Sequence, residues 1–193
     1  MPEDLNKLSP EDLGKLFPIA LSEYNPEWGQ MFLEERELIL DFLGTSQIAS
    51  IEHIGSTSVP GLIAKSTIDI LIEINNDSDI DELVTKLESG GYTLIPKPEN
   101  PPPHLMFAKG YSGSGYTGQT FHLHIRYNGE CEEILFRDYL LRNPSAAREY
   151  AELKRRLSLS FRNDREKYTM GKTDFIKDII KRAGEELKNK PYF

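Results

Sequence analysis

Cysteine is almost absent from this sequence of 193 residues, which contains only Cys131. A disulfide framework is therefore excluded, and a reducing compartment is expected. Long hydrophobic runs are missing too, since apolar residues make up 38% of the chain and none of its stretches approaches the roughly 18 apolar positions of a membrane helix. The first ten residues are acidic and polar, unlike a signal peptide. We therefore expect a cytoplasmic protein without a membrane partner.

Basic residues are outnumbered by acidic ones, 23 to 31, which gives a formal net charge of −8. This balance argues against a nucleic-acid partner. The charge is uneven along the chain, because residues 1–136 carry 8 basic and 22 acidic side chains, whereas residues 137–193 carry 15 and 9. A basic C-terminal part is consistent with binding of a phosphate-bearing ligand, and equally with a solvated helical surface.

The hydrophobic pattern predicts a mixture of strands and helices, which is an α+β layout. Helices are expected after Asn25-Pro26, after Ser78 and from Glu132 to the end. The five prolines between Pro96 and His104 predict a loop, and the four glycines between Gly110 and Gly118 predict a mobile segment. The predicted strands are Ile19 to Leu21, Ile48 to Ile54, Thr67 to Ile74, Leu105 to Ala108, and Thr120 to Tyr127.

Two of these strands alternate strictly between apolar and polar positions. The first predicts an open face with Asp69 and Glu73, and the second predicts a polar face with His122, His124 and Arg126. If the two strands are neighbours in one sheet, these side chains line a common surface suited to a metal ion or a phosphate. A half-solvated sheet face without a ligand explains the alternation equally well.

A Gly-Ser turn follows the strand that ends at Ile54. Gly55 permits a close approach of the backbone to a ligand, and the amides and hydroxyls of Ser56 and Thr57 at a helix start would suit a phosphate. Gly and Ser also occur in such turns for turn geometry and capping alone. Asp69 follows Ser56 by 13 positions in the next strand, a spacing with which a phosphate loop and a metal-binding carboxylate can meet at one nucleotide.

This arrangement resembles the nucleotidyltransferase superfamily, in which a Gly-Ser helix start precedes a strand bearing Asp-x-Asp. More closely, the run from His53 to Leu62, followed by Ala64-Lys65 and Ile68-Asp69-Ile70, is similar to the signature of the GrpB family. The similarity extends to Tyr24-Asn25-Pro26-Glu27-Trp28, His122-Leu123-His124, Phe136-Arg137-Asp138-Tyr139-Leu140, Arg142, Pro144, Tyr150, Lys154, Tyr168-Thr169, Gly171-Lys172 and Phe175.

The resemblance implies a fold, a division of the chain and an activity. The fold would be nucleotidyltransferase-like α+β, a mixed β-sheet with helices and a helical C-terminal region. Residues 1–18 would form an N-terminal extension, and residues 19–193 the GrpB-like domain, with a mixed-sheet part at 19–130 and a helical part at 131–193. Some members of this family look to be joined to dephospho-CoA kinase domains, which implies a nucleotide or coenzyme context. The implied activity is transfer of a nucleotidyl or phosphoryl group with a divalent metal, Mg²⁺ or Mn²⁺.

The implied site residues fall into three groups. Asp69 and His124 would be catalytic, and Asp69, His122 and His124 would bind the metal. A nucleotide or another phosphorylated small molecule would be held by Gly55, Ser56, Thr57, Lys65, Arg137, Lys154 and Lys172.

One position departs from the superfamily pattern, because Leu71 stands where a second acid would share the metal ions with Asp69. Glu73 on the same face lies roughly 13 Å from Asp69, too far to share one ion directly. Two alternatives therefore stay open beside the transferase: a non-catalytic domain that binds a nucleotide or coenzyme, and a metal-dependent hydrolase. The hydrolase would use Asp69, His122 and His124, a ligand set that also suits a transition metal.

Overall fold

The computed structural model describes residues 7–96, 103–129 and 131–189 of the chain. Five strands form one sheet: β1 (Ile48–Ile54), β2 (Thr67–Ile74), β3 (Thr93–Leu94), β4 (Leu105–Ser112) and β5 (Gly115–Tyr127). A three-residue 3₁₀ helix, Ser56–Ser58, follows β1. The α-helices are α1 (Pro10–Leu16), α2 (Trp28–Leu43), α3 (Ile80–Ser89), α4 (Glu132–Arg142), α5 (Pro144–Ser160), α6 (Arg165–Met170) and α7 (Thr173–Asn189).

The sheet is mixed and has the order β1-β2-β5-β4-β3. Strands β2 and β5 pair in parallel, and the other neighbours pair antiparallel. On one face of β2, Ile68, Ile70, Ile72 and Ile74 are fully buried in a core that includes Trp28 and Ile39 of α2. This burial fixes the register of β2 and leaves Asp69 on the opposite face.

The C-terminal helices build a second core. Side chains of α4, α5 and α7 pack together with Val59, Leu62 and Ile63 from the segment after β1. The predicted α+β fold, a mixed sheet with helices and a helical C-terminal region, is therefore confirmed. Within the described residues, none of the helices is both long and apolar enough to cross a membrane.

One local prediction is wrong. Residues Ile19 to Leu21 do not form a strand; the nearby chain makes a single antiparallel bridge between Ser22 and Ala64. The glycine-rich segment 110–118, predicted to be mobile, forms the turn end of a hairpin in which β4 and β5 pair as far as Ser112 and Gly115. The predicted proline-rich loop falls mostly on residues 97–102, which lie outside the described residues.

The predicted open face of β2 is closed along most of its length. Thr67 and Glu73 are buried, and Leu71 is completely inaccessible because it packs against Ile54 and Cys131. Glu73 accepts hydrogen bonds from the Ser50 hydroxyl at 2.6 Å and the Gly129 amide at 3.0 Å. On this face of the strand Thr67 and Asp69 line a cavity, and Asp69 is the more exposed of the two.

Candidate functional site

Asp69 lies beside two histidines at the centre of the sheet. The parallel pairing of β2 and β5 places Asp69 opposite His122. His122 Nδ1 lies 3.2 Å and His124 Nε2 lies 3.7 Å from Asp69 Oδ1. The Tyr111 hydroxyl lies 3.0 Å from His122 Nε2. A neutral His122 that donates to Asp69 from Nδ1 can therefore accept a hydrogen bond from Tyr111.

The ionisation of this cluster is set by burial and hydrogen bonding. Burial alone would raise the pKa of Asp69, but hydrogen bonds from His122 and His124 and their nearby charge lower it well below its usual range. Burial lowers the pKa of His122, against the opposing effect of Asp69. Asp69 is thus a carboxylate at neutral pH, while His122 favours its neutral form.

The Gly-Ser turn approaches Asp69 closely. Gly55 has φ +70°, and a Cβ at this position would overlap Asp69 Oδ2. Only glycine suits both the backbone conformation and the contact. The helix that begins after Gly55 is a single 3₁₀ turn, Ser56–Ser58, and Val59 ends it. Ser56 nevertheless lines the same cavity as Asp69.

A cavity of about 760 Å³ lies between the sheet and the C-terminal helices. Lys65, Lys154, Arg165 and Lys172 line it, and we call it the basic cavity. Lys154 Nζ donates to Ser56 Oγ at 2.9 Å and to the Ile63 carbonyl oxygen. Among the described residues that line this cavity, Asp69 is the one acidic side chain.

The cations of the basic cavity have few negative partners. A fifth lining cation, Lys109, forms an ion pair of 2.6 Å with Glu35. For the other four cations, no carboxylate oxygen in the described parts of the chain lies within 4 Å of the side-chain nitrogen atoms. Burial lowers the pKa of Lys65 and of Lys154 to about 7, and it also lowers the pKa of Lys172. The cavity thus holds several basic groups whose charge Asp69 offsets only in part.

Two residues predicted to bind phosphate are not brought to this cavity. Arg137 forms ion pairs with Glu52 at 2.7 Å and Asp138 at 2.8 Å, and it donates to the His53 carbonyl at 3.0 Å. Thr57 is 1% exposed, and its hydroxyl lies 3.0 Å from His53 Nε2. Both side chains are therefore committed to contacts that join β1 to its neighbours.

The predicted metal ligands form an incomplete set. Across the described residues, no group of three or more His, Cys, Asp and Glu side chains suits a metal ion. Asp69 is the single carboxylate of the cluster, and it is engaged with His122. Mg²⁺ and Mn²⁺ prefer oxygen ligands, so such an ion would need further oxygens from a bound ligand or water.

Several residues at the site carry no signal in the sequence. Tyr111 lies in the glycine-rich segment that was predicted to be mobile, and its hydroxyl contacts His122. Leu8, Leu13 and Phe17 precede the predicted domain, yet they line the basic cavity. Their positions depend on contacts between distant segments, which hydrophobic periodicity does not report.

A second cavity, of about 730 Å³, adjoins the basic cavity. The two share five lining residues: Gly55, Asp69, His124, Phe136 and Tyr150. Arg126 and Glu133, which form an ion pair of 2.9 Å, line only the second cavity among those described. Asp69 and His124 consequently lie where the two cavities meet.

The sequence model of a family described as GrpB protein matches residues 18–182. The chain belongs to the GrpB family. A UPF0157 protein from Pseudomonas aeruginosa is 41% identical over 161 residues, which are 82% of this chain and 65% of that protein. The crystal structure of the conserved protein GrpB from Enterococcus faecalis has a TM-score of 0.75 and 33% identity, with 88% of this chain and 100% of that chain covered.

A more distant relative is longer than this chain. It is a dephospho-CoA kinase from Mycolicibacterium paratuberculosis, 26% identical over 191 residues, which cover 86% of this chain and 46% of that protein. The chain thus spans less than two thirds of the length of both the Pseudomonas and the Mycolicibacterium proteins.

Proposed function

We propose that this GrpB protein binds a nucleotide or another phosphorylated small molecule in the basic cavity. The observation that carries this proposal is the convergence of Lys65, Lys154, Arg165 and Lys172 on one space without carboxylate partners among the described residues. In a protein of net charge −8, these cations lie together around one cavity; Lys154 is buried and the other three are partly buried. A phosphate group would supply the missing negative charge.

The energetics of the lysines support the same proposal. Burial, and then the charge of Lys172, make the protonated form of Lys154 unfavourable despite the charge of Asp69, so its pKa falls to about 7. An anion bound beside Lys154 would favour the protonated form and raise this pKa again. Ligand binding should therefore be coupled to proton uptake near neutral pH. The name of the dephospho-CoA kinase relative adds a nucleotide or coenzyme context.

A second candidate function is transfer of a nucleotidyl or phosphoryl group, as in a divergent nucleotidyltransferase. The position of Asp69 and His124 between two adjoining cavities favours it, since a transferase must hold a donor and an acceptor side by side. In this proposal the basic cavity binds the phosphates of the donor, and Asp69 and His124 contact the acceptor. A divalent ion held by Asp69, with His122 and His124 if it is a transition metal, would neutralise phosphate charge.

Calorimetric titration of ATP, GTP and CTP, with and without Mg²⁺, tests the binding proposal. We expect Lys154→Met to weaken nucleotide binding at least about tenfold, because it removes a buried cation. The exposed Lys177 on α7 provides the control, and Lys177→Met should bind as the wild type does. Ser56→Ala should weaken binding to a smaller extent, because Ser56 positions Lys154.

The role of the metal is tested in the same titrations. With one carboxylate at the site, we expect Asp69→Asn and removal of Mg²⁺ to change affinity less than Lys154→Met does. Loss of binding in Asp69→Asn and without metal, with Lys154→Met unaffected, would instead assign binding to a metal site. Absence of binding by the wild type would overturn the proposal. Product formation from a bound nucleotide, whether transfer or hydrolysis, would separate the enzymatic candidates from a binding domain.

A further inference from the structure

The basic cavity has a second, apolar end on the same face of the sheet. Across the β4–β5 ladder, Met106 pairs with His124 and Ala108 pairs with His122. The amide of Ile95 donates to the Met106 carbonyl, so Ile95 continues this surface beyond β4. All three line the cavity. This sheet face therefore changes from Asp69 and histidines on β2 and β5 to Met106, Ala108 and Ile95, with Thr93 of β3 as the polar residue at that edge.

The N-terminal segment 8–17 adds an apolar wall to the same cavity. Leu8, Leu13 and Phe17 line the cavity, and the Phe17 ring lies 5.1 Å from the Tyr111 ring in an edge-to-face arrangement. Tyr111 in turn contacts His122. The wall therefore connects directly to the residues around Asp69.

This segment is held in place by its own helix cap and by contacts with Asn163 and Arg165. Ser9 caps α1 by accepting a hydrogen bond from the Asp12 amide at 3.1 Å. At Gly14 the helix approaches the chain so closely that a Cβ would overlap the Asn163 carbonyl oxygen. Arg165, which lines the basic cavity, donates to the Phe17 carbonyl at 2.9 Å. The apolar wall and the cationic wall are thus joined through one residue.

The match to the GrpB family begins at residue 18, so the segment that supplies this wall precedes the matched region. We infer that residues 8–17 form a binding wall for an aromatic ring carried by the phosphorylated ligand, and so restrict the substrate class to nucleotide-like molecules. This inference rests on the proposed phosphate binding. It excludes inorganic phosphates and simple sugar phosphates as preferred ligands.

The chemistry of the two ends distinguishes these ligand classes. Leu13 and Met106 offer no hydrogen-bonding groups to the hydroxyls of a sugar, whereas the flat face of a base gains contact area against them. Inorganic phosphate would fill only the cationic end and leave the apolar end facing water. The cavity volume of about 760 Å³ lies in the range of small-molecule sites.

Titration with tripolyphosphate beside the tightest-binding nucleoside triphosphate tests the inference. The wild type should bind the nucleotide at least about tenfold more tightly than tripolyphosphate. Leu13→Asn and Met106→Gln, which change opposite walls, should each weaken nucleotide binding by about three- to tenfold and leave tripolyphosphate binding within about twofold. Leu16 on the same helix is half-buried and absent from the described cavity lining, so Leu16→Asn is the matched control.

The outcomes separate this inference from the proposed function. Equal wild-type affinities for the nucleotide and tripolyphosphate would overturn the inference and leave phosphate binding intact. Equal weakening of both ligands by Leu13→Asn and Met106→Gln would also overturn it, since the wall would then have no specific role. Failure of the wild type to bind either ligand would overturn the proposed function and the inference together.

Discussion

Replacement of Lys154 by methionine should make the protein more stable at neutral pH while it impairs ligand binding. Lys154 is 2% exposed, and its Nζ donates only to Ser56 Oγ and the Ile63 carbonyl within the described chain. Its Nζ also lies 4.6 Å from the centre of the Tyr150 ring. These neutral groups offset only part of the cost of burying an ammonium group.

The size of the effect follows from the pKa of Lys154, which burial, and then the charge of Lys172, lower from 10.5 to about 7. Between these two pH values the unfolded chain binds one more proton at this lysine than the folded chain does. The free energy of unfolding should therefore rise with pH from about 7 to 10, by at most about 1.4 kcal/mol per pH unit and about 5 kcal/mol in total. Lys65, whose pKa is also about 7, adds to the same slope.

Methionine retains most of the packed volume and removes the buried charge. The Ile63 carbonyl then loses its lysine donor, which costs about 1–3 kcal/mol. We expect a net gain of about 1–3 kcal/mol in the free energy of unfolding at pH 7 and a smaller slope between pH 7 and 9. Urea denaturation at pH 7, 8 and 9 measures both quantities, with Lys177→Met as the control. A less stable Lys154→Met protein with the wild-type pH slope would refute this reasoning.

Two substitutions and one binding measurement test other parts of the structure. Gly55→Ala should lower the thermal midpoint and weaken nucleotide binding, because a Cβ at φ +70° overlaps Asp69; melting curves and calorimetry measure the two effects. Tyr92→Phe should cost about 1–3 kcal/mol in urea denaturation, because it removes the buried hydrogen bond to Glu35. Nucleotide binding at pH 7 should take up protons, so that the binding enthalpy differs between buffers of different ionisation enthalpy; equal enthalpies would contradict the lowered lysine pKa values.

The Asp69 and His122 pair was predictable from the sequence because strand alternation is a local property. In β2 the isoleucines occupy one face, and in β5 the apolar residues Phe121, Leu123 and Ile125 do the same. Any in-register pairing of these two strands leaves Asp69 and the histidines on a shared face. The sequence did not specify that β2 and β5 are adjacent and parallel, which the sheet shows.

Other features depended on tertiary contacts that the sequence does not encode locally. The glycines of residues 110–118 predicted a mobile segment and gave no sign of a hairpin. Gly110, with φ +87°, lies at a register shift inside the β4–β5 hairpin, where a Cβ would overlap the Gln119 carbonyl. Arg137 lies in the region that the family model matches and was predicted to bind phosphate, but its guanidinium is held by Glu52 of β1. The partner of a charged side chain is set by packing of the helices, not by motif membership.

The structure around Leu71, and not only its side chain, is unsuited to a second acid beside Asp69. Leu71 lies on the same face as Asp69 but is completely buried, and it packs against Ile54, Cys131 and Ile134 of α4. The next residue on this face, Glu73, is held by Ser50 and Gly129. Where a second carboxylate would join a metal pair, the protein has built a hydrophobic contact between the sheet and α4.

Leu71→Asp should therefore destabilise the protein rather than complete a metal site. The new carboxylate would be buried among apolar side chains near Glu73, which should cost at least about 3 kcal/mol in urea denaturation. Leu71→Met, which conserves volume and apolarity, should cost less than about 1.5 kcal/mol. A Leu71→Asp protein as stable as the wild type, with nucleotide binding that newly depends on Mg²⁺, would contradict this expectation. Such a result would show that α4 can withdraw from β2, and that the basic cavity and a two-carboxylate metal site are compatible in this fold.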